Sequence, residues 1–330
     1  MTSSVQPSPS LTSRFLTPGV GGPRLGALTY LNGPVPEGPA GTELTVRMGV
    51  AGEAVTETWV AGEPVCAGDY AGLRYTGCRD FLFCVGRIEE AGEYAAATHR
   101  TYEDLFTLLA RLGYKRLVRV WNYIGDINGG NARGQEVYRD FCVGRSHALE
   151  QLGMLYGMPA TTVIGAEGDG IGIAVLAARE AEPVNIENPR QTPAYHYPPR
   201  YGPRSPNFAR ATYVPPADDP AGRGKVFVSG TASIVGHETV HVGDVRAQTH
   251  TALENIGLLI GPDNLSDYGI PHSYGLSDLR RAKVYVRHAE DVPAVREICS
   301  KLLPDDGDVV YLHADVCRGD LLMELEGVAD

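Results

Sequence analysis

Phe81-Leu-Phe-Cys-Val-Gly86 and Lys225-Val-Phe-Val-Ser-Gly230 decide the fold, because each opens a stretch in which the same elements follow in the same order. Each is a short apolar run ended by glycine, the pattern of a buried strand. After the first comes a helix, Tyr102 to Leu112, with Leu105, Leu108, Leu109 and Leu112 on one face. A strand Arg116–Tyr123, a helix around Glu136–Leu152 and strands Ala160–Ile164 and Ile171–Ala178 complete that stretch. The second continues with a helix from about Val245 to Leu259, carrying Ala252, Ile256 and Leu259 on one face. It closes with a strand Ala282–Arg287, a helix Pro293–Leu302 and strands Val309–His313 and Leu321–Val328. Self-similarity on this scale points to a duplicated domain and not to a solenoid. The strand- and Gly/Pro-rich part from Gly26 to Gly77 reads as a third, degenerate copy.

Strand–helix–strand–helix–strand–strand implies an α+β sheet with helices packed on one face. Such copies can assemble around a pseudo-threefold axis, with ligand clefts between them. The expected division is an N-terminal strand-rich domain (1–76), a central domain with a long following loop (77–210) and a C-terminal domain (211–330). Met1 to Leu16 is Ser/Pro-rich and has no apolar h-region, so it reads as a loose tail and not a signal peptide.

The 330 residues carry a net charge of −11, which argues against a nucleic-acid partner and makes any basic cluster local. The longest apolar runs, such as Ile171–Ala178, are far too short to span a bilayer. Cys66, Cys78, Cys84, Cys142, Cys299 and Cys317 form no C-x-x-C pair, the pattern of free thiols in a reducing cytoplasm. No metal and no cofactor is expected.

One basic cluster stands out. Tyr195–Arg210 packs three arginines and three tyrosines into sixteen residues, threaded on four prolines and a glycine. Proline fixes φ and removes a backbone donor, so the segment is neither helix nor central strand. A stiff loop that holds guanidinium forks beside phenol rings suits a carboxylate or phosphate, which the fork binds bidentately. The plainer alternative is a Pro-rich linker whose arginines face water.

Near the C-terminus the chain reads Asp315-Val-Cys317-Arg-Gly-Asp-Leu-Leu-Met-Glu324-Leu-Glu326. On a strand, Glu324 and Glu326 share one face while Met323 and Leu325 point to the other. Two carboxylates so placed repel each other and resist burial, which raises at least one pKa and leaves an acid able to donate a proton. A solvent-facing strand edge would instead carry two ordinary glutamates. The segment Tyr138-Arg-Asp-Phe-Cys-Val-Gly-Arg145 adds two further arginines. Gly144 reads as a possible helix stop, which would put Arg145 on a loop; a salt bridge from Arg145 to Asp140 or Glu136 is the alternative. His237-Glu-Thr-Val-His241 matches H-E-x-x-H, but Gly236 and Gly243 bracket it and Thr239-Val240 favours strand or turn, so the helical spacing that zinc needs is not expected. Gly168-Asp-Gly-Ile-Gly172 reads as a hairpin connection.

At these residues the chain resembles the chorismatase family, bacterial enzymes that remove pyruvate from chorismate. The anchors are Val120-Trp-Asn-Tyr-Ile-Gly-Asp-Ile-Asn128, Tyr138-x-x-Phe-Cys-Val-Gly-Arg145, Tyr201-Gly-Pro-Arg-Ser-Pro-x-Phe-Ala-Arg210, Ser229-Gly-Thr-Ala-Ser-Ile-Val-Gly-His-Glu238 and the closing Glu324-Leu-Glu326. The resemblance implies RidA-like (chorismate mutase-like) domains repeated in a single chain, a pseudo-threefold arrangement and a monomer. It also implies chorismate as substrate, with its two carboxylates held by Arg145, Arg204 and Arg210. Tyr138 belongs to the same binding set, and Tyr201 and Phe208 wall the ring. Glu324 matches the family's glutamic acid that protonates the methylene carbon of the enolpyruvyl ether. Gly230 and Cys317 match the branch that forms 3-hydroxybenzoate plus pyruvate, as distinct from the hydrolytic branch that forms a dihydroxycyclohexadiene carboxylate. A different class of answer is a RidA-like enamine or imine deaminase, or a plain carboxylate-binding protein. The Tyr201–Arg210 loop argues against it, since a plain RidA-like unit has no equivalent inserted anion loop.

Overall fold

The computed structural model describes residues 11–15, 22–35, 41–89, 92–151, 157–216 and 222–330. The N-terminal part holds β1 (Leu11–Phe15), β2 (Arg24–Leu31), β3 (Glu43–Arg47), β4 (Gly49–Val50) and β5 (Val55–Ala61). The central part holds β6 (Cys66–Tyr70), β7 (Leu73–Gly77), β8 (Phe81–Ile88), α1 (Ala95–Leu112), β9 (Arg116–Gly125), α2 (Val137–Gln151), β10 (Ala160–Ala166) and β11 (Ile171–Ala178). The C-terminal part holds β12 (Val184–Ile186), β13 (Ala211–Val214), β14 (Lys225–Ala232), β15 (Ile234–Val235) and β16 (Glu238–Thr239). It continues with α3 (Val245–Ile260), α4 (Pro262–Asp267), β17 (Leu279–Val286), α5 (Val292–Cys299), β18 (Asp308–His313) and β19 (Met323–Ala329).

Three sheets share one strand order: β1-β5-β2-β3, β8-β11-β9-β10 and β14-β19-β17-β18. In each, the last two strands of that order run parallel (β2 with β3, β9 with β10, β17 with β18) and the other pairs are antiparallel. The third copy is therefore present in backbone topology. Its two corresponding connections, residues 16–23 and 32–42, are shorter than the helix-bearing connections of the other two copies.

Each helical copy buries two faces. Leu82, Cys84, Val120, Ile173 and Val175 pack against α1 and α2, and Val226, Val228, Val284, Met323 and Leu325 pack against α3 and α5. The alternate residues of the same strands, including Phe83, Trp121, Phe227 and Tyr285, meet Trp59 and Tyr30 of the N-terminal sheet in one shared core. Trp59 stands 5.7 Å from Trp121 and 6.0 Å from Phe227, ring centre to ring centre, so the three sheets close on an aromatic hub.

The sheets divide the chain elsewhere than at residues 76 and 210. The β6–β7 hairpin extends the central sheet through β7–β8 pairing, and β12–β13 extend the C-terminal sheet through β14. Leu11–Phe15, read as part of a loose tail, is an edge strand paired with β5; residues 1–10 and 16–21 lie outside the described residues. Gly168–Gly172 does not close a hairpin, because β10 and β11 lie on opposite sides of β9. Helix α1 starts seven residues before the apolar stripe suggests. Its cap comes from another helix: the Tyr94 amide donates to Asp140 Oδ2 at 2.6 Å. Among the described residues no helix is long and apolar enough to cross a membrane.

Candidate active site

The site lies where the central and C-terminal copies meet, and a bulge in β14 creates it. The β14–β19 register shifts between Val228 and Thr231, which frees Ser229 and Gly230 from the ladder. Both turn to the neighbouring copy: the Thr161 amide donates to Ser229 Oγ at 2.8 Å, and the Gly230 amide donates to Thr162 Oγ1 at 3.0 Å. Glu324, opposite Ala232 on β19, extends its carboxyl into the gap. A Cβ at Gly230 would fall 1.9 Å from Glu324 Oε1 and 2.7 Å from its Cδ, so the glycine makes room for this carboxyl.

The result is a cavity of about 340 Å³ whose wall includes Tyr138, Tyr201, Arg204, Phe208, Arg210, Gly230, Cys317 and Glu324. Eight of the nine candidate residues thus meet at one place. Glu324 is only 4 % exposed. Burial, with the neighbouring Glu326 adding to it, pushes its carboxyl up to about 8, so it carries a proton at neutral pH. Burial and the nearby Glu324 push the Cys317 thiol up to about 12, so it enters any reaction as a neutral thiol. Tyr138 is likewise held as the phenol, by burial and by the thiols of Cys142 and Cys317.

Arg145 is the exception. Helix α2 does not stop at Gly144: a Cβ there would fall 2.1 Å from the Ala95 carbonyl oxygen, so the glycine is the contact point between α1 and α2. Arg145 continues the helix, 3 % exposed, and is not part of the cavity wall. Its Nη1 donates to the Asn207 carbonyl at 2.7 Å, and its Nε to the Tyr102 hydroxyl at 3.2 Å. It anchors the arginine loop from behind. The proposed salt bridges to Asp140 and Glu136 are not made; Asp140 caps α1 and Glu136 pairs with Arg139 at 2.7 Å.

The loop itself is two 3₁₀ turns, Ala194–His196 and Pro199–Tyr201, and is not a free linker. Arg210 is buried; Nη2 donates to the Tyr197 hydroxyl at 2.8 Å and to the Thr192 carbonyl at 2.9 Å, while its buried Nε finds no partner among the described residues. Arg204, 42 % exposed at its side chain, sits at the rim and pairs with Glu150 at 2.7 Å. Arg318, not singled out from the sequence although it follows Cys317, lies 4.0 Å over the Tyr201 ring and lines the cavity. Arg139 and Arg200 complete a wall with five arginines. The H-E-x-x-H stretch runs through the β15–β16 hairpin, with His241 at φ 58°, so its imidazoles do not share a helix face.

Residues 57–177 match a family described as chorismatase FkbO/Hyg5-like, N-terminal. A 3-hydroxybenzoate synthase from Streptomyces hygroscopicus is 51 % identical over 288 residues, 87 % of this chain and 85 % of that one. A chorismatase from Streptomyces rapamycinicus is 50 % identical over 84 % of this chain and 82 % of its own. A chorismatase crystal structure superposes with a TM-score of 0.91 at 41 % identity, covering 98 % of this chain and all (100 %) of the other.

Proposed function

This chain belongs to the chorismatase family, and we propose that it converts chorismate to 3-hydroxybenzoate and pyruvate. The observation that carries this reading is Glu324, a buried carboxylic acid raised to about 8 and facing an arginine-lined cavity. A neutral acid at that point can deliver a proton to the enolpyruvyl methylene, which creates an oxocarbenium centre on the ether carbon. The 4-hydroxyl oxygen of the ring then bonds to C3 as the C3–O ether bond breaks. That electron pair stays with the ether oxygen, which becomes the keto oxygen of pyruvate, and the hydroxyl proton returns to Glu324. Opening of the C4–O bond with loss of the C3 hydrogen makes the ring aromatic, and the sum consumes no water.

Arg210, whose Nε has no partner among the described residues, is suited to one substrate carboxylate, with Arg204, Arg139 and Arg318 around the opening. Tyr201 and Phe208 would flank the ring. Cys317 as a neutral thiol fits a shaping role beside Glu324. We place the enzyme in the cytoplasm, in keeping with six free cysteines, and as a monomer whose three copies supply the threefold arrangement.

Incubation with chorismate, with pyruvate and the aromatic acid quantified together, tests this directly. Equal amounts of the two are expected, and in ¹⁸O-water the 3-hydroxyl stays unlabelled. The dihydroxycyclohexadiene carboxylate as main product would overturn the branch, and absence of pyruvate would overturn the reaction.

A further inference from the structure

We propose that a charge-balanced quartet at the pseudo-threefold axis, Glu57, Arg119, Lys283 and Glu326, keeps Glu324 in its acid form. The N-terminal copy, which adds no described residue to the cavity wall, then serves the reaction through Glu57. The inference rests on Glu324 as the proton donor.

The quartet draws one residue from β5, one from β9, one from β17 and one from β19, so all three copies contribute. Lys283 Nζ reaches Glu57 at 2.8 Å and Glu326 at 2.5 Å, and donates to the Tyr30 hydroxyl at 3.1 Å. Arg119 donates to the other oxygen of Glu326, and so does Thr162. Trp121 Nε1, at 3.0 Å, and the Tyr285 hydroxyl, at 3.3 Å, donate to the first oxygen. All four charged residues are buried. Two cations meet two carboxylates, and the sum is zero.

Glu324 is a fifth buried charge site, on the same strand face as Glu326, and among the described residues no cation forms an ion pair or hydrogen bond with it. The groups facing it are Glu326 on its own strand, Arg119 from β9, Arg210 from the loop end and Cys317 from the preceding turn. Arg119 is already bound to Glu326, and Arg210 donates to Tyr197 and Thr192. Ionising Glu324 would put a second buried negative charge beside Glu326 with no cation in contact to stabilise it, so the proton stays on Glu324. The titration directions agree. Although burial works against both charges, Lys283 is held well protonated by Glu326 and Glu57, and Glu326 is held ionised by Lys283 and Arg119. Thr162 joins the two regions physically, donating to Glu326 while accepting from the Gly230 amide behind Glu324.

The test is the alkaline limb of kcat/KM for chorismate, which reports the acid in the free enzyme. In the wild type it should fall near pH 8. Glu57→Gln leaves the axis with a net positive charge and should move the limb down by roughly half to one pH unit. The double variant Glu57→Gln/Lys283→Met restores neutrality and should return the limb to the wild-type position. A role in packing alone would lower the rate without moving the limb, so an unmoved limb in Glu57→Gln overturns the proposal. If that variant does not fold, the neutral double variant decides, and a limb displaced by more than about half a unit overturns it. Failure of the underlying reading looks different: Glu324→Gln would still release pyruvate at near wild-type rate.

Discussion

The cavity and the axis are two polar interiors fed by the same strand face, and they are built on opposite principles. At the axis every charge has an opposite partner within hydrogen-bonding distance, and Glu326 accepts from five side chains. Two residues away, Glu324 lies against glycine and a thiol, with its nearest cations bound to other groups. Pairing stabilises the first carboxyl as an anion; want of pairing keeps the second protonated. The comparison teaches that on this strand reactivity comes from the partner withheld and not from the residue type.

The sharpest way to break that contrast is to neutralise each carboxyl in turn. Glu324→Gln keeps shape but removes the acid, and pyruvate release should fall ~10²–10⁴-fold. Retained activity above about a tenth of wild type would move the acid elsewhere. The cavity's cations come next. Arg210→Lys keeps a charge but loses the fork and should lower kcat/KM by roughly tenfold or more, since a charge-assisted bond contributes about 1.5–3 kcal/mol. Arg204→Lys, on the exposed rim, should cost less; equal losses would mean that the buried and rim arginines bind alike.

Gly230→Ala sharpens the contrast from the backbone side. The new methyl requires the Glu324 carboxyl to swing away, so turnover should drop, and together with Cys317→Ala the product should shift toward the non-aromatic diol, read by chromatography. A smaller effect concerns stability. Glu324 titrates near its ordinary 4.5 in the unfolded chain and near 8 in the fold. Between those values the fold holds a proton that the unfolded chain has released, so stability falls as pH rises through that window. The Tm of Glu324→Gln should therefore gain on the wild type from pH 5 to pH 8.5, and a constant difference would deny the raised pKa. Smallest of all is His241→Ala, on the hairpin away from both interiors, expected within about 0.5 kcal/mol of wild type by thermal melts.

Local pattern determined a good deal of this protein. Short apolar runs ended by glycine, Phe81–Gly86 and Lys225–Gly230, marked both opening strands, and the duplicated element order announced the helical copies, because an element's apolar pattern advertises its burial. Glu324, the Tyr201–Arg210 loop and Gly230 were legible as a candidate site from residue type and family resemblance. What tertiary structure alone decided is where each charge went. Gly144 looks like a helix stop in sequence, yet it is the contact of two helices, and Arg145 follows it into the interior to hold Asn207. The α1 cap comes from Asp140, 46 positions away from Tyr94. Glu57, Arg119 and Lys283 carry no motif, since their pairing exists only after three sheets close on one axis. Periodicity is a property of one element and can be read along the chain; a counter-charge is a property of two or more elements in contact, and sequence order does not record it.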